Sequence, residues 1–296
     1  MAQKIIRDIF RSVHKWINPA PLDGQAAQDC LKELLLADGP CMIGRFGSVE
    51  IQATFWSMLP SFSLTRRLLT KKVFRTLIAN AGFFPINESN IKAFGALMVE
   101  SMKMCDCLAS WRFEEVFFKR YLRKASRIRL GCLGPGNEGY EDSWYKTLEN
   151  KKILVISPFS ELIQIQYRND NFNKVWDNPD ILPGLRELHT IKSVNSIGGN
   201  CEFDNWFEAL DSMKRQIDSI DFDIAILGCG AYGFPLAAYI KSIGKKAVHM
   251  GGSTQLIFGI KGKRWEGKDF INQYWISPRP QDRPVGFEKV EGGCYW

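Results

Sequence analysis

Residues 223–233 read Asp223-Ile224-Ala225-Ile226-Leu227-Gly228-Cys229-Gly230-Ala231-Tyr232-Gly233, an apolar run closed by G-x-G-x-x-G just before a helix-like stretch over 235–243. A strand that feeds through a glycine turn into a helix is the building unit of a parallel α/β sheet. Gly228, Gly230 and Gly233 permit a tight turn with close backbone approach. The helix start behind them offers unpaired N–H groups and a partial positive charge to a phosphate. The same glycines also suit a strand-to-helix turn with no ligand.

Outward from that unit the pattern repeats. CMIGRF (41–46), CLASW (107–111), IRLGCLG (128–134), KKILVIS (151–157), LHTIKSV (188–194) and KAVHMG (246–251) are β-rich runs. Helix-like stretches over 49–58, 66–80, 88–104 and 205–219 separate them. The expected fold is α/β and Rossmann-like, a mostly parallel sheet with helices on both faces and a helical N-terminal portion. Residues 1–20 read as a basic amphipathic helix, with Ile5, Ile6, Ile9, Phe10, Val13, Trp16 and Ile17 at helical spacing among Lys4, Arg7, Arg11 and Lys15. Residues 21–296 read as a single domain, within which 61–125 is a candidate helical sub-domain or lid.

Open sheets of this kind gather ligands at the carboxyl ends of their strands, and three such ends stand out. The first is the Gly228–Gly233 turn. The second runs from His249 through Gly251, Gly252, Ser253, Thr254 and Gln255 to Lys261, Lys263 and Arg264, a glycine turn followed by positive charge. The third is Gly44-Arg45-Phe46-Gly47-Ser48-Val49-Glu50. Arg45 is suited to bidentate recognition of phosphate or carboxylate, while Glu50, one turn into the next helix, is suited to ligate a metal or accept a proton. An Arg45–Glu50 ion pair of purely structural purpose fits the same residues, as does a core role for His249.

Composition narrows the classes. Of 296 residues, 45% are hydrophobic and 24% charged, which excludes disordered, collagen-like and coiled-coil chains. No run approaches the roughly 18 apolar residues of a membrane span, and the start lacks a signal core, so a cytoplasmic location is expected. The eight cysteines include no C-x-x-C pair, which favours reduced, buried thiols. With 39 Lys+Arg against 32 Asp+Glu the formal charge is +7. The excess concentrates in 61–80 (Arg66, Arg67, Lys71, Lys72, Arg75) and 113–129 (Lys119, Arg120, Arg123, Lys124, Arg127, Arg129), which points to anionic partners. P-loop, zinc-protease and serine-hydrolase motifs are absent, and no helix-turn-helix, zinc-finger or aromatic–basic platform supports nucleic-acid binding.

GRFGSVE, the strand-ending VISPF, the block GCGAYGFPLAAYIKSIGKKAVHMGGSTQLIFGIKGKRW and the terminal EGGCYW together resemble bacterial glycosyltransferases of the GT-D fold, in patches from Gly44 to Trp296. The resemblance implies transfer of a sugar from a nucleotide-sugar donor, a UDP-sugar foremost, to a saccharide acceptor in polysaccharide, lipid-linked glycan or glycoprotein assembly. It also implies Mn²⁺ or Mg²⁺ as cofactor. The family motif Arg-Phe-Gly-Asp-Gly-Glu is matched by Arg45, Phe46, Gly47 and Glu50, but Ser48 stands for its aspartate and Val49 for its glycine. Glu50 is thus the implied metal ligand. Glu50 and Arg45 are the candidate catalytic residues. Gly47, Ser48, Gly228, Gly230, Gly233, His249, Gly251, Gly252, Gln255, Lys261 and Arg264 are the candidate donor-binding residues. A lipid-linked acceptor at the inner membrane face would suit the basic N-terminal segment. Two other readings stay open: an NAD(P)-binding oxidoreductase, which lacks the usual acid at the end of KAVHM, and a sugar-nucleotide-binding relative without turnover.

Overall fold

The computed structural model describes residues 20–59, 64–135, 142–196 and 202–296, with 64–69 described through their backbone. The amphipathic helix expected over 1–20 falls almost wholly outside them. Seven strands form one sheet: β1 (Met42–Gly44), β2 (Cys107–Ser110), β3 (Ser126–Arg129), β4 (Lys152–Ser157), β5 (Glu187–Lys192), β6 (Ile224–Leu227) and β7 (Lys246–His249). Their order is β3-β2-β1-β7-β6-β4-β5, and every pairing is parallel. The helices are α1 (Gly24–Leu36), α2 (Ser48–Ser57), α3 (Leu64–Ala81), α4 (Glu88–Met104), α5 (Ser160–Tyr167), α6 (Trp206–Asp218), α7 (Gly233–Ser242) and α8 (Thr254–Ile257).

Strands read as unbroken apolar runs because both faces of a parallel sheet are covered. In β4, Leu154 and Ile156 point into one core layer and Ile153 and Val155 into the other; in β6, Ala225 and Leu227 oppose Ile224 and Ile226 in the same way. The first layer holds apolar side chains of α4, α6 and α7, the second those of α1 and α5. α6 shows how sequence sets a helix: Asn205 accepts hydrogen bonds from the N–H groups of Phe207 and Glu208 at 3.0 and 3.1 Å, and Trp206, Ala209, Leu210, Met213 and Ile217 fall on one buried stripe. Gly95 lets α4 approach α2, since a Cβ there would collide with the Ser57 hydroxyl.

The edge run IRLGCLG divides in two. β3 ends at Arg129, whose N–H is taken by the Leu22 carbonyl at 2.8 Å, and Leu130–Leu133 coil into a 3₁₀ turn. Within the stretch 61–125, β2 lies inside the sheet, and α4 packs against α7. Asp106 fastens that stretch to the rest, accepting from the Met42 N–H at 2.8 Å and from Lys241 Nζ at 2.7 Å. The cysteines among the described residues are free thiols, with Cys41, Cys105, Cys107, Cys132 and Cys229 buried. No helix among the described residues is long and apolar enough to cross a membrane.

Because Leu154 is fully buried in β4, between β6 and the edge strand β5, Leu154→Ala is expected to lower unfolding free energy by about 2–5 kcal/mol in urea titration.

Candidate functional site

A cavity of about 250 Å³ opens over the carboxyl ends of the sheet. Residues just past six of the seven strands reach it: Arg45 after β1, Trp111 after β2, Pro158 after β4, Asn195 after β5, Gly228 after β6 and Gly251 after β7. The end of α3 supplies Thr76 and Asn80, and the C-terminal segment supplies Val290, Glu291, Tyr295 and Trp296.

Arg45 lies at the hinge between β1 and α2. Its Nη1 donates to the Phe46 carbonyl at 3.1 Å, and its guanidinium sits 5.4 Å from the centroid of the Trp111 ring. Its Nε is sealed from solvent and has no hydrogen-bond partner among the described residues. Among the described residues no carboxylate lies within ion-pair distance of it. The surrounding protein strips water from the charge and pushes its pKa down, an effect that the negative charge of Glu50 partly offsets. Part of the side chain still faces the cavity, so Arg45 is a largely desolvated cation at a concave surface. Leaving such a donor unpaired costs on the order of 1–3 kcal/mol or more, which an anionic ligand would offset.

Trp111 holds this arrangement from above. Its Nε1 donates to the Phe46 carbonyl at 2.8 Å, its backbone N–H donates to Glu115 Oε1 at 3.0 Å, and Arg112 lies 5.0 Å from its ring centroid. The indole is therefore flanked by two guanidiniums.

Glu50 folds back over Gly47 at the start of its own helix, where the nearby N–H groups of residues 49 and 50 favour its charged form. Gly47 makes room for it, because a Cβ at position 47 would run into the carboxylate. Desolvation raises its pKa, opposed by Arg45. His249 is buried, and its Nδ1–H donates to the Leu227 carbonyl at 3.2 Å. Burial, with Arg45 next in weight, lowers its pKa to about 3, so the ring is neutral across the physiological range.

The glycine turns are explained by close packing within the protein. A Cβ on Gly228 would lie 2.6 Å from the Thr254 side chain, one on Gly230 (φ +57°) 3.0 Å from the Ala81 carbonyl, and one on Gly233 would strike the His249 ring. At the end of β7, a Cβ on Gly251 would come 3.2 Å from Arg45 Cζ and one on Gly252 2.5 Å from the Tyr295 ring. The Gly251–Gly252 turn thus lies between Arg45 on one side and Tyr295 on the other. Arg264 Nη1 donates to Tyr295 Oη at 3.0 Å and pairs with Glu291 Oε2 at 3.1 Å. Gln255 spends its amide on the carbonyls of Ile260 and Tyr295, at 3.1 and 3.2 Å, and so ties the turn to the C-terminal segment.

The fold therefore brings Arg45, Gly47, Ser48, Glu50, Gly228, Gly230, His249, Gly251, Gly252, Gln255 and Arg264 to one cavity wall. Gly233 and Lys261 do not line it. Gly233 faces inward on His249, and Lys261 sits beyond the turn, where its N–H donates to the Ile276 carbonyl at 2.9 Å. Trp111 and Asn80 carry no motif that marks them as site residues in the sequence, and Glu291, Tyr295 and Trp296 lie in the terminal EGGCYW without being singled out as site residues. The spacing of EGGCYW holds the one usable signal for three of them, since Gly292 (φ +71°) and Gly293 (φ +74°) fold the segment back so that its acid and aromatics share a face.

The donor set is a poor match for Mg²⁺ or a similar divalent ion, which is held by one or two carboxylates together with substrate phosphates. Among the described residues no three His, Cys, Asp or Glu side chains converge, and each carboxylate that lines the cavity stands beside a guanidinium, Glu50 by Arg45 and Glu291 by Arg264.

No family model and no curated protein matches the chain. A solved structure of similar outline, "A New Glycosyltransferase (DUF1792) from Streptococcus sanguinis", is 11% identical with a TM-score of 0.41, over 89% of this chain and 96% of that one. So loose a superposition is no guide to chemistry.

His249 carries a pH prediction. Its folded pKa lies below its unfolded value, so the unfolded chain binds the extra proton, and stability is lost as pH falls from about 6.5 toward about 3. Replacing it by glutamine, His249→Gln, should flatten the fall in melting temperature over that window, measured by calorimetry.

Proposed function

We propose that the chain is a glycosyltransferase that moves a sugar from a nucleoside-diphosphate sugar, a UDP-sugar being the first candidate, to a hydroxyl of a saccharide acceptor. The observation that carries this reading is Arg45, a desolvated guanidinium without a carboxylate partner among the described residues, in a cavity above the carboxyl ends of a parallel sheet. Such a cation suits a phosphate oxygen, and Arg recognises it through a planar fork of donors.

In the reaction the acceptor oxygen forms a bond to the anomeric carbon as the bond from that carbon to the diphosphate oxygen breaks. The electron pair leaves with the diphosphate, which gains one negative charge. Arg45 and Arg264 face that growing charge in a site that partly excludes water, where fixed positive groups act most strongly. The hydroxyl proton passes to a carboxylate. Glu50 fills that role because desolvation raises its affinity for a proton.

Exposed groups near the cavity support an acceptor presented at an anionic membrane surface. Exposed Trp111 lines the cavity, exposed Phe117, Lys119 and Arg120 follow it along the chain, and exposed Met58 ends α2. Phe117 packs on Phe55 of α2 with ring centroids 4.6 Å apart, which keeps the apolar and basic groups on connected elements.

A thermal-shift panel of UDP, GDP, CDP and dTDP sugars with NAD and NADP tests the reading, since a ligand of the native state raises the melting temperature. One nucleoside-diphosphate sugar should stabilise the protein, and Arg45→Ala should remove that shift. Glu50→Gln should keep the shift and slow transfer by about 10²–10⁴-fold. A response to NAD or NADP alone would replace transfer by redox chemistry. For the membrane, co-sedimentation with phosphatidylglycerol vesicles at physiological salt should occur and should weaken in Trp111→Ala/Phe117→Ala; equal recovery with neutral vesicles would remove the contact from the proposal.

A further inference from the structure

We infer that the leaving diphosphate is neutralised in this protein by two guanidiniums, Arg45 and Arg264, in the place of a divalent cation, so that donor binding and transfer both proceed without metal. The inference rests on the glycosyl-transfer reading and adds to it the identity of the electrophile.

The first line of support is the fate of the carboxylates. A divalent ion in this cavity would need Glu50, Glu291 or both, the two carboxylates that line it among the described residues, and each stands beside a guanidinium. Glu50 lies over the N–H groups at the start of α2, where the helix end favours it. Drawing it toward a metal would uncover those donors and bring the ion up against Arg45, whose charge no carboxylate within ion-pair distance offsets among the described residues. Ser48 also lines the cavity and offers a neutral hydroxyl, not a second carboxylate.

The second line is the placing of the cations. Arg45 and Arg264 both line the cavity at the Gly251–Gly252 turn, and each feels the other's charge. Arg45 sits against the Cα of Gly251, and Arg264 is reached through Tyr295, which sits against the Cα of Gly252. A diphosphate laid over the turn would have both guanidiniums beside it, and Thr254, whose buried Oγ1 has no partner among the described residues, lines the same cavity. Arg45 is preset, held by the Phe46 carbonyl and the Trp111 ring. Arg264 is held loosely: its bond to Glu291 joins two half-exposed side chains. Exposed pairs of that kind contribute little, so a phosphate can take the fork from Glu291 at small cost.

Isothermal titration of UDP and GDP into the intact protein tests this, with the protein first freed of metal by EDTA and then supplied with excess Mn²⁺. Binding of one nucleotide is expected with EDTA present, at an affinity that Mn²⁺ changes by less than about threefold. Arg264→Ala, a surface change that leaves the core untouched, should weaken binding about tenfold, and Arg45→Gln at least as much, with no recovery on adding Mn²⁺. Tenfold or greater tightening by Mn²⁺ would overturn the inference while leaving the transferase reading in place, and loss of that tightening in Glu50→Gln would identify the metal ligand. Unchanged affinity in Arg264→Ala would also overturn it. Failure of every nucleoside diphosphate to bind under either condition would bring down the transferase reading itself.

Discussion

An all-parallel sheet carries one geometric obligation: every strand points the same way, so all carboxyl ends come out along one edge. Both faces must be covered by helices, because the alternating side chains of β4 and β6 are apolar in both directions. The short segments leaving the strand ends are then the free part of the design. Here the segments after six strands turn toward one cavity, and the chemistry depends on which side chains those turns carry.

The turns are held by contacts of the protein with itself. Gly228 touches Thr254, Gly230 touches Ala81, Gly252 touches Tyr295, and Gly47 accommodates Glu50. The smallness of these residues is used to bring neighbouring turns together. On the glycosyl-transfer reading proposed above, a guanidinium contributes most when it is already in place before charge develops, and Arg45 is held by the Phe46 carbonyl and the Trp111 indole.

Most of the sheet is legible in the sequence, because strands covered on both faces leave unbroken apolar runs that end in glycine or charge. DIAIL and KILVIS can be placed almost to the residue for that reason, and the asparagine caps with striped apolar positions do the same for α4 and α6. The edge is harder: in IRLGCLG the hydrophobic run outlasts the strand, since Leu130–Leu133 form a 3₁₀ turn that buries Cys132 and Leu133. The cavity is legible where a site residue adjoins its own strand, as with Arg45, Glu50 and Gly251. It is not legible where tertiary contact alone brings a residue in. Trp111 belongs to a run that reads simply as a strand end, and Tyr295 and Trp296 lie some thirty residues past Arg264 with no periodic signal between them. Lys261, by contrast, has the right charge at the right distance along the chain, but the bridge from Ile260 to Ile276 carries it past the rim.

Trp111 has one more consequence. Among the described tryptophans, Trp144, Trp176, Trp206, Trp275 and Trp296 are buried and Trp56 and Trp265 are half-buried, whereas Trp111 is exposed at the mouth of the cavity between two arginines. Its emission is therefore expected to be red-shifted relative to the rest and the most open to dissolved quenchers. The molecule thus contains its own optical probe, sited where a bound molecule would displace water from a single indole.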